Sequence, residues 1–471
     1  FGTATSNFEG YPMDEWALAS FFGRINYSYK DKYMATLIVR SDGSSNFAKG
    51  HRWGTFPSVS AGWVMSEEKF MQKSRSWVDF LKLRASWGQN GNQSIPNFQY
   101  VSPVAFDLSH GYMFGDTHIQ KGQLPSTGAY ATNLANEDVT WEKSEQFDFG
   151  VDMVMLSSRL RLNADYYIKK TKDWLVQAPI LSTAGTAAPY INGGDVENKG
   201  LEVALAWNDH VGDLQYGVSF NAAYNKNKVT RIANTEGIIH GNTGAISTDT
   251  PEFYRAQVGY PIGYFWGFKT AGVFQNQQQI TDWIAAGNGV AQASPQPGDL
   301  IYQDLNHDGV INENDKTMIG NPHPDWNIGF SLNLAWRGFD FSATAAGALG
   351  QQVLFGTRAN TIYAFNRWHG EGTSNRYPRL VTKAALSDHI SDIDIENADY
   401  LRMQNITLGY DLKRIWKSSP LQRMRIYVTV QNLFTITGYK GMDPEVGFGG
   451  TDRYGDNATS WVTGIDLGSY P

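Results

Sequence analysis

The chain has 471 residues, a formal net charge of −7 from 39 Lys and Arg against 46 Asp and Glu, and no Cys. The acidic balance without a long basic run argues against nucleic acid as a partner, and the missing Cys excludes disulfides, thiolate nucleophiles and zinc–thiolate sites. No run approaches the roughly 18 apolar residues of a transmembrane helix, while 14% aromatic residues and 48 Gly favour strands and turns.

The opening stretch "FGTATSNFEGYPMDEW" has no charged n-region followed by an apolar h-region, so no signal peptide is read there. The chain is therefore either cytoplasmic or a mature or truncated piece, and the features that follow point to the piece. From there, segment after segment alternates with period two, the signature of a strand with two different faces. Fourteen strands are expected, over 17–30, 33–43, 53–66, 77–90, 141–155, 160–175, 196–208, 214–230, 251–258, 263–274, 324–337, 339–353, 398–412 and 424–436. In "QFDFGVDMVM" Phe147, Phe149, Val151, Met153 and Met155 oppose Gln146, Asp148, Gly150 and Asp152. In "LRLNADYYIKK" Leu160, Leu162, Ala164, Tyr166 and Ile168 oppose Arg161, Asn163, Asp165, Tyr167 and Lys169.

"WNIGFSLNLAW" is the most informative case, with Trp326, Ile328, Phe330, Leu332, Leu334 and Trp336 on one face and Trp at both ends. Its ten residue steps, tilted by about 45°, rise roughly 24 Å along a membrane normal, which matches the apolar band of an outer-membrane barrel and its aromatic girdles. Connections alternate between short (30–32, 156–159, 208–213, 259–262, 337–338) and long (91–140, 176–195, 231–250, 275–323, 354–397, 437–471). That segregation is the pattern of short periplasmic turns and long extracellular loops. The expected fold over 1–471 is thus all-β, part of a transmembrane antiparallel β-barrel. Alternation alone also fits a soluble β-protein whose apolar face is a core. An open sheet leaves edge N–H and C=O groups unpaired in lipid, so this barrel portion is expected to be incomplete by itself.

Within 298–323 lies "DLNHDGVINEND", a twelve-residue loop with the oxygen spacing of an EF-type calcium site. Asp304, Asn306, Asp308, the Val310 carbonyl, Asn312 and Asp315 occupy the ligand positions, with Gly309 at the sharp turn and Ile311 as an apolar tether. Asp at the twelfth position reaches less far than Glu, which implies modest affinity. Calcium is the expected cofactor, in a structural role; the competing reading is an Asx-rich turn without an ion. Further on, the loop 354–397 carries Tyr363, Trp368 and Arg376, with Phe365 and Arg367, a set able to stack on a sugar ring or grip a peptide. Rim packing is the alternative for those aromatics.

No enzymatic role is expected. The nine His show no paired metal-ligand spacing such as H-E-x-x-H, and "SEEK" at Ser66–Lys69 lacks the companion motifs of an S-x-x-K nucleophile. "GQNGN" lacks the Lys and helix of a phosphate loop, and Asp148, Asp152 and Asp165 suit a polar lumen wall.

The stretches "FFGRINYSYKDKYMATLIVRSDGSSNF", "WGTFPSVSAGWVMSEEKF", "LKLRASWGQNGNQSI", "VGYPIGYFWGF", "GDLIYQDLNHDGVINENDKTMIGNPHPDWNIGF" and "VQNLFTITGYKGMDPE", in this order, resemble the carboxy-terminal part of the SusC/RagA family of TonB-dependent outer-membrane transporters. The resemblance implies a full protein with a plug domain, a TonB-contacting segment and a 22-stranded barrel, of which this chain supplies about strands 8 to 21. It implies a Gram-negative outer membrane, uptake of oligosaccharides, and a SusD-like surface lipoprotein acting as a lid, with a dimer of the transporter–lid pair among the assemblies. A RagA-type peptide importer, a siderophore or cobalamin receptor, and a soluble calcium-stabilised glycan-binding β-protein are the alternatives.

Overall fold

Stretches that alternate β-branched or aromatic residues with polar ones favour the pleated, half-buried environment of a strand. In the computed structural model twelve of them join into one antiparallel sheet. The structure describes residues 16–112, 126–177, 180, 183, 185–244, 246, 250–356, 365–380, 390–446 and 463–467. The wall strands are β1 (Leu18–Tyr29), β2 (Tyr33–Ser44), β3 (Trp53–Val64), β4 (Val78–Asn92), β5 (Glu142–Met155) and β6 (Leu160–Gln177). They continue through β7 (Tyr190–Val211), β8 (Leu214–Ile232), β9 (Trp326–Trp336), β10 (Phe339–Leu349), β11 (Tyr400–Asp411) and β12 (Arg425–Thr437). Each pairs with the next in chain order, so the sheet is an up-and-down meander with β1 and β12 at its edges. An all-β transmembrane barrel wall is what the alternation predicted.

Two of the fourteen expected strands are not in that wall. The stretches 251–258 and 263–274 instead supply Tyr254–Gln257 and Tyr264–Phe268 to a separate four-stranded sheet with Ile238–His240 and Lys316–Gly320. At four and five residues they fall well short of the 9–11 a spanning strand needs. Phe253, Tyr264 and Phe265 are fully buried, so this apolar run fills a dry core instead of facing hydrocarbon. Because the two stretches form a pair, removing them from the wall leaves the sidedness of every other connection unchanged.

The whole of 233–325 is consequently one long connection between β8 and β9, on the same side as 93–141, 178–189 and 350–399. It holds the four-stranded sheet, the pair Thr270–Val273 and Leu300–Tyr302, and one helix, Gln277–Ala285, capped by the Asn276 side chain accepting from the Gln279 amide at 2.9 Å. A short three-stranded sheet of Gln352–Phe355, Ile395–Asn397 and Ile465–Asp466 packs beside it. A buried apolar core lies here, joined by the outer ends of wall strands, Val229 of β8 among them. Val229, Phe253, Phe265, Leu354, Ile390 and Ile465 form its centre, and the outer ends of β6 and β7 reach into it through Trp174 and Val196.

Candidate functional site

The register of the wall places apolar residues of all its strands on one surface. Phe149 pairs with Tyr166, Leu205 with Phe220, Phe220 with Phe330, and Leu334 with Phe341. Phe149 is 43% and Phe330 41% exposed, and Leu332 is half-buried, so none is enclosed in a protein interior. Aromatic pairs bound this surface at both ends: Tyr224–Trp326 at 5.0 Å and Phe21–Trp53 at 5.9 Å on the long-loop side, Phe339–Tyr410 at 4.5 Å and Tyr29–Tyr33 at 6.5 Å on the short-turn side. A ring has an apolar body and, in Tyr and Trp, a polar tip, which suits the boundary between hydrocarbon and headgroups.

The opposite face is polar. At its centre Arg84 of β4 gathers three carboxylates from β5 and β6. Its Nε donates to Asp152 at 3.0 Å, its Nη2 donates to Asp165 at 2.8 Å, and Asp148 lies 3.7 Å from Nη1. Asn163 also donates to Asp152, at 2.8 Å. The guanidinium lies over Gly150, where a Cβ would come within 2.5 Å of Arg84 Cζ and 2.3 Å of an Asp165 oxygen. Sequence reasoning singled out the three aspartates but not the arginine that organises them. The signal was present in "LKLRASW", whose Lys82, Arg84 and Ser86 share the polar face. Further along the wall, Arg425 of β12 pairs with Asp340 of β10, its Nε donating at 2.8 Å. Asn163, Asn221, Ser219 and Ser331 line the open polar surface between these two clusters.

Near the loop body two histidines behave oppositely. His323 is pushed down by burial, only partly opposed by its contact with the Ile262 carbonyl at 2.8 Å. For His240, burial pulls the imidazole down, but Glu252 at 2.9 Å and Glu236 at 3.3 Å outweigh it and raise it above the ordinary value.

The loop 304–315 is an Asx-built turn. Asp304 accepts from the Gly309 amide at 2.7 Å and the Asp308 amide at 3.2 Å, Asn306 accepts from Asp308 at 3.0 Å, and Asp308 accepts from Val310 at 2.8 Å. Gly309 has φ +81° and His307 φ +59°. Asp315 is fully buried, accepting from the Leu305 and Asn312 amides at 2.9 and 2.8 Å. Asn312 opens a single 3-10 turn and accepts from the Asn314 amide. Ile311 packs inward against Phe268, Val273, Leu300, Tyr302 and Ile393. Among the described residues no three His, Asp or Glu side chains converge as a ready cage.

The three expected substrate contacts are not brought together. Tyr363 lies outside the described residues. Trp368 packs against the same cluster as Ile311, its ring over Gly298 and its backbone N–H donating to Tyr377 at 2.9 Å. Arg376 donates to Glu396 at 3.1 Å and sits 5.4 Å from the Tyr377 ring centroid.

An outward apolar band with girdles, a polar inner face and loops of unequal length describe an outer-membrane barrel wall, and the family model for the TonB-dependent receptor-like β-barrel matches residues 1–433. The chain belongs to the TonB-dependent receptor family. TonB-dependent receptor P3 of Formosa agariphila is 31% identical over 470 residues, covering 98% of this chain and 45% of the relative. TonB-dependent receptor SusC of Bacteroides thetaiotaomicron is 31% identical over 466 residues, covering 96% and 43%. The structure of the RagAB peptide transporter matches with a TM-score of 0.76 at 23% identity, over 97% of this chain and 46% of that one, and shares its fold. The chain thus spans just under half the length of these relatives. The family consists of outer-membrane transporters, not enzymes, and this TonB-dependent receptor wall resides in the outer membrane. That location, together with the exposure of Phe330 and Phe149, overturns the soluble alternative.

Proposed function

We propose that this TonB-dependent receptor wall belongs to a SusC-type importer that takes up oligosaccharides together with a SusD-like surface lipoprotein, driven through TonB. The single observation that carries this reading is the 31% identity to SusC over almost the whole chain, on a wall whose polar face presents Asn, Ser, Asp and Arg side chains to a passage. In the proposal the edges β1 and β12 pair with strands of the rest of the protein, since unpaired edges in lipid cost several kcal/mol per orphaned group. The long connections 233–325 and 350–399 form the outer surface on which the lipoprotein sits. On the 354–397 loop, Arg376 has a half-exposed side chain and Phe365 is 80% exposed, so these two are within reach of a substrate, and Tyr363 is the third proposed contact. Trp368 anchors the loop by packing into the cluster beneath Gly298.

Calcium completes the proposal. Its ligands are Asp304, Asn306, Asp308, the Val310 carbonyl, Asn312 and Asp315, all hard oxygen donors. The positive φ of Gly309 and the inward Ile311 supply the sharp turn and the tether that such a site needs. When bound, the ion pins 304–315 onto the loop body. The chain's own Asx network holds the loop in shape beforehand.

The test is affinity purification of the full-length protein from its outer membrane, with identification of what comes with it. A co-purifying surface lipoprotein and a bound oligosaccharide are expected. A bound peptide favours the RagA-type reading, consistent with the shared fold of RagAB. A metal chelate without any lipoprotein would overturn the proposal in favour of a siderophore or cobalamin receptor.

A further inference from the structure

The six turns that join the wall strands on the short side cover 30–32, 65–77, 156–159, 212–213, 337–338 and 412–424. Together they hold eleven Lys and Arg against four Asp and Glu, a balance of +7 in a chain whose total is −7. The four acids are locally engaged. Glu67 pairs with Arg75 at 3.1 Å, Asp213 with Arg337 at 2.8 Å, Glu68 with Lys32 at 3.7 Å, and Asp31 accepts from Ser28. The excess is greatest in 412–424, "LKRIWKSSPLQRM", which has four cations and no acid. No described carboxylate lies within ion-pair distance of Arg414, Lys417 or Arg423.

The same turn exposes three large apolar side chains: Ile415 at 72%, Trp416 at 52% and Leu421 at 53%. Its fold is held internally by Trp416 N–H donating to the Leu412 carbonyl at 2.8 Å and Lys413 Nζ donating to the Ser419 carbonyl at 2.6 Å. The stem of Arg414 lies over Gly338 beside Tyr410, a member of the short-side aromatic girdle, so the turn continues the lipid-facing surface. Across the rim, Phe70 of the 65–77 turn is 61% exposed and meets Trp63, the cross-strand partner of the girdle residue Tyr33, at 6.4 Å. Cations beside exposed aromatic and aliphatic side chains at membrane level form the composition of an interfacial anchor, in which the apolar side chains enter the headgroup–acyl boundary and the cations meet phosphates.

We propose that the short-turn rim, with 412–424 as its principal element, binds anionic phospholipid headgroups of the periplasmic leaflet. Charge complementarity selects anionic over zwitterionic lipid, and Ile415, Trp416 and Leu421 select a lipid over a free phosphate ion. The rim fixes the depth of the barrel in the membrane, independently of what the lumen transports.

The test is native mass spectrometry of the full-length protein in detergent with equal amounts of phosphatidylglycerol and phosphatidylcholine. Wild type is expected to retain phosphatidylglycerol roughly tenfold or more over phosphatidylcholine, and the combined Arg414→Gln, Lys417→Gln, Arg423→Gln variant to lose most of that preference. A charge-matched control on the other side, Lys49→Gln, Lys226→Gln, Lys228→Gln, keeps it. Should the rim variant fail to show heat-modifiable, folded migration, Lys417→Gln alone reads the same loss at about fivefold. Equal retention of the two lipids by wild type, an unchanged preference in the rim variants, or an equal loss in the control would each overturn the proposal. Displacement of the lipid by inorganic phosphate, or a dimer broken by the rim substitutions, would reassign the surface to an ion or to a second copy.

Discussion

Gly150 has no side chain because the space above it is already taken by the Arg84 guanidinium and the Asp165 carboxylate. Adding a methyl group forces that cluster apart, so Gly150→Ala is expected to destabilise the folded barrel by about 1–3 kcal/mol, read as a lower denaturant midpoint in detergent. Arg84→Ala strands Asp148, Asp152 and Asp165 together. Because these groups stay partly solvated, a cost of about 1–3 kcal/mol is expected instead of the larger penalty of a fully buried pair, and it should grow as salt is lowered. Arg84→Lys should recover only part of it, since an ammonium cannot reproduce the forked contacts to Asp152 and Asp165. His240 adds a pH dependence. Its folded value is raised by Glu252 and Glu236 above the ordinary 6.5, so its stabilising contribution is complete below about that pH and is lost as pH rises through the folded value. The amide protection of the paired Ile238–His240 and Tyr254–Gln257, corrected for the intrinsic base-catalysed exchange rate at each pH, should therefore fall from pH 6 to pH 8.5, and His240→Gln should hold it level.

At the level of elements, long alternating strands were legible because the period-two pattern persists for eleven or more residues, as in β9 and β10. The stretches 251–258 and 263–274 were misassigned to the wall because a short apolar run reads alike whether it spans lipid or fills a core. "GYFWGF" has no polar partners between its aromatics, and that lack of alternation is the clue that Tyr264 and Phe265 are enclosed on both sides. The paired strands Val104–Tyr112 and Ser126–Ala131 and the helix Gln277–Ala285 also went unread, being short elements, and the helix is held by burial of Ile280 against Phe274 and Ile301. The oxygen spacing of 304–315 was legible in full, and the loop does adopt an Asx-built turn with Gly309 at positive φ. If calcium occupies it as proposed, chelation should increase protease cleavage between Asp304 and Asp315 severalfold, while Asp304→Ala with Asp308→Ala should already be cleaved quickly and ignore the chelator. Unchanged cleavage in both would leave the loop as an ion-free turn. The substrate candidates were the least legible part. Aromatic and Arg residues in one loop do not reveal which of them turn inward, and Trp368 does so because Gly298 leaves room for its ring.

Over the whole molecule, one rule connects sequence to function: the apolar side of every wall strand faces hydrocarbon and the polar side faces a passage. These 471 residues contain no Cys, so once any Cys elsewhere in the full-length protein is replaced, an introduced Cys is a unique label site. Single Cys substitutions from Ile328 to Leu334 in the full-length protein, spin-labelled and reconstituted in bilayers, report exposure to oxygen in lipid and to a nickel chelate in water. Strict alternation is expected, with labels at 328, 330, 332 and 334 relaxed by oxygen and labels at 329, 331 and 333 relaxed by the chelate. Labels at Phe330 and Leu332 that are reached by neither, or a scan without a period of two, would contradict it.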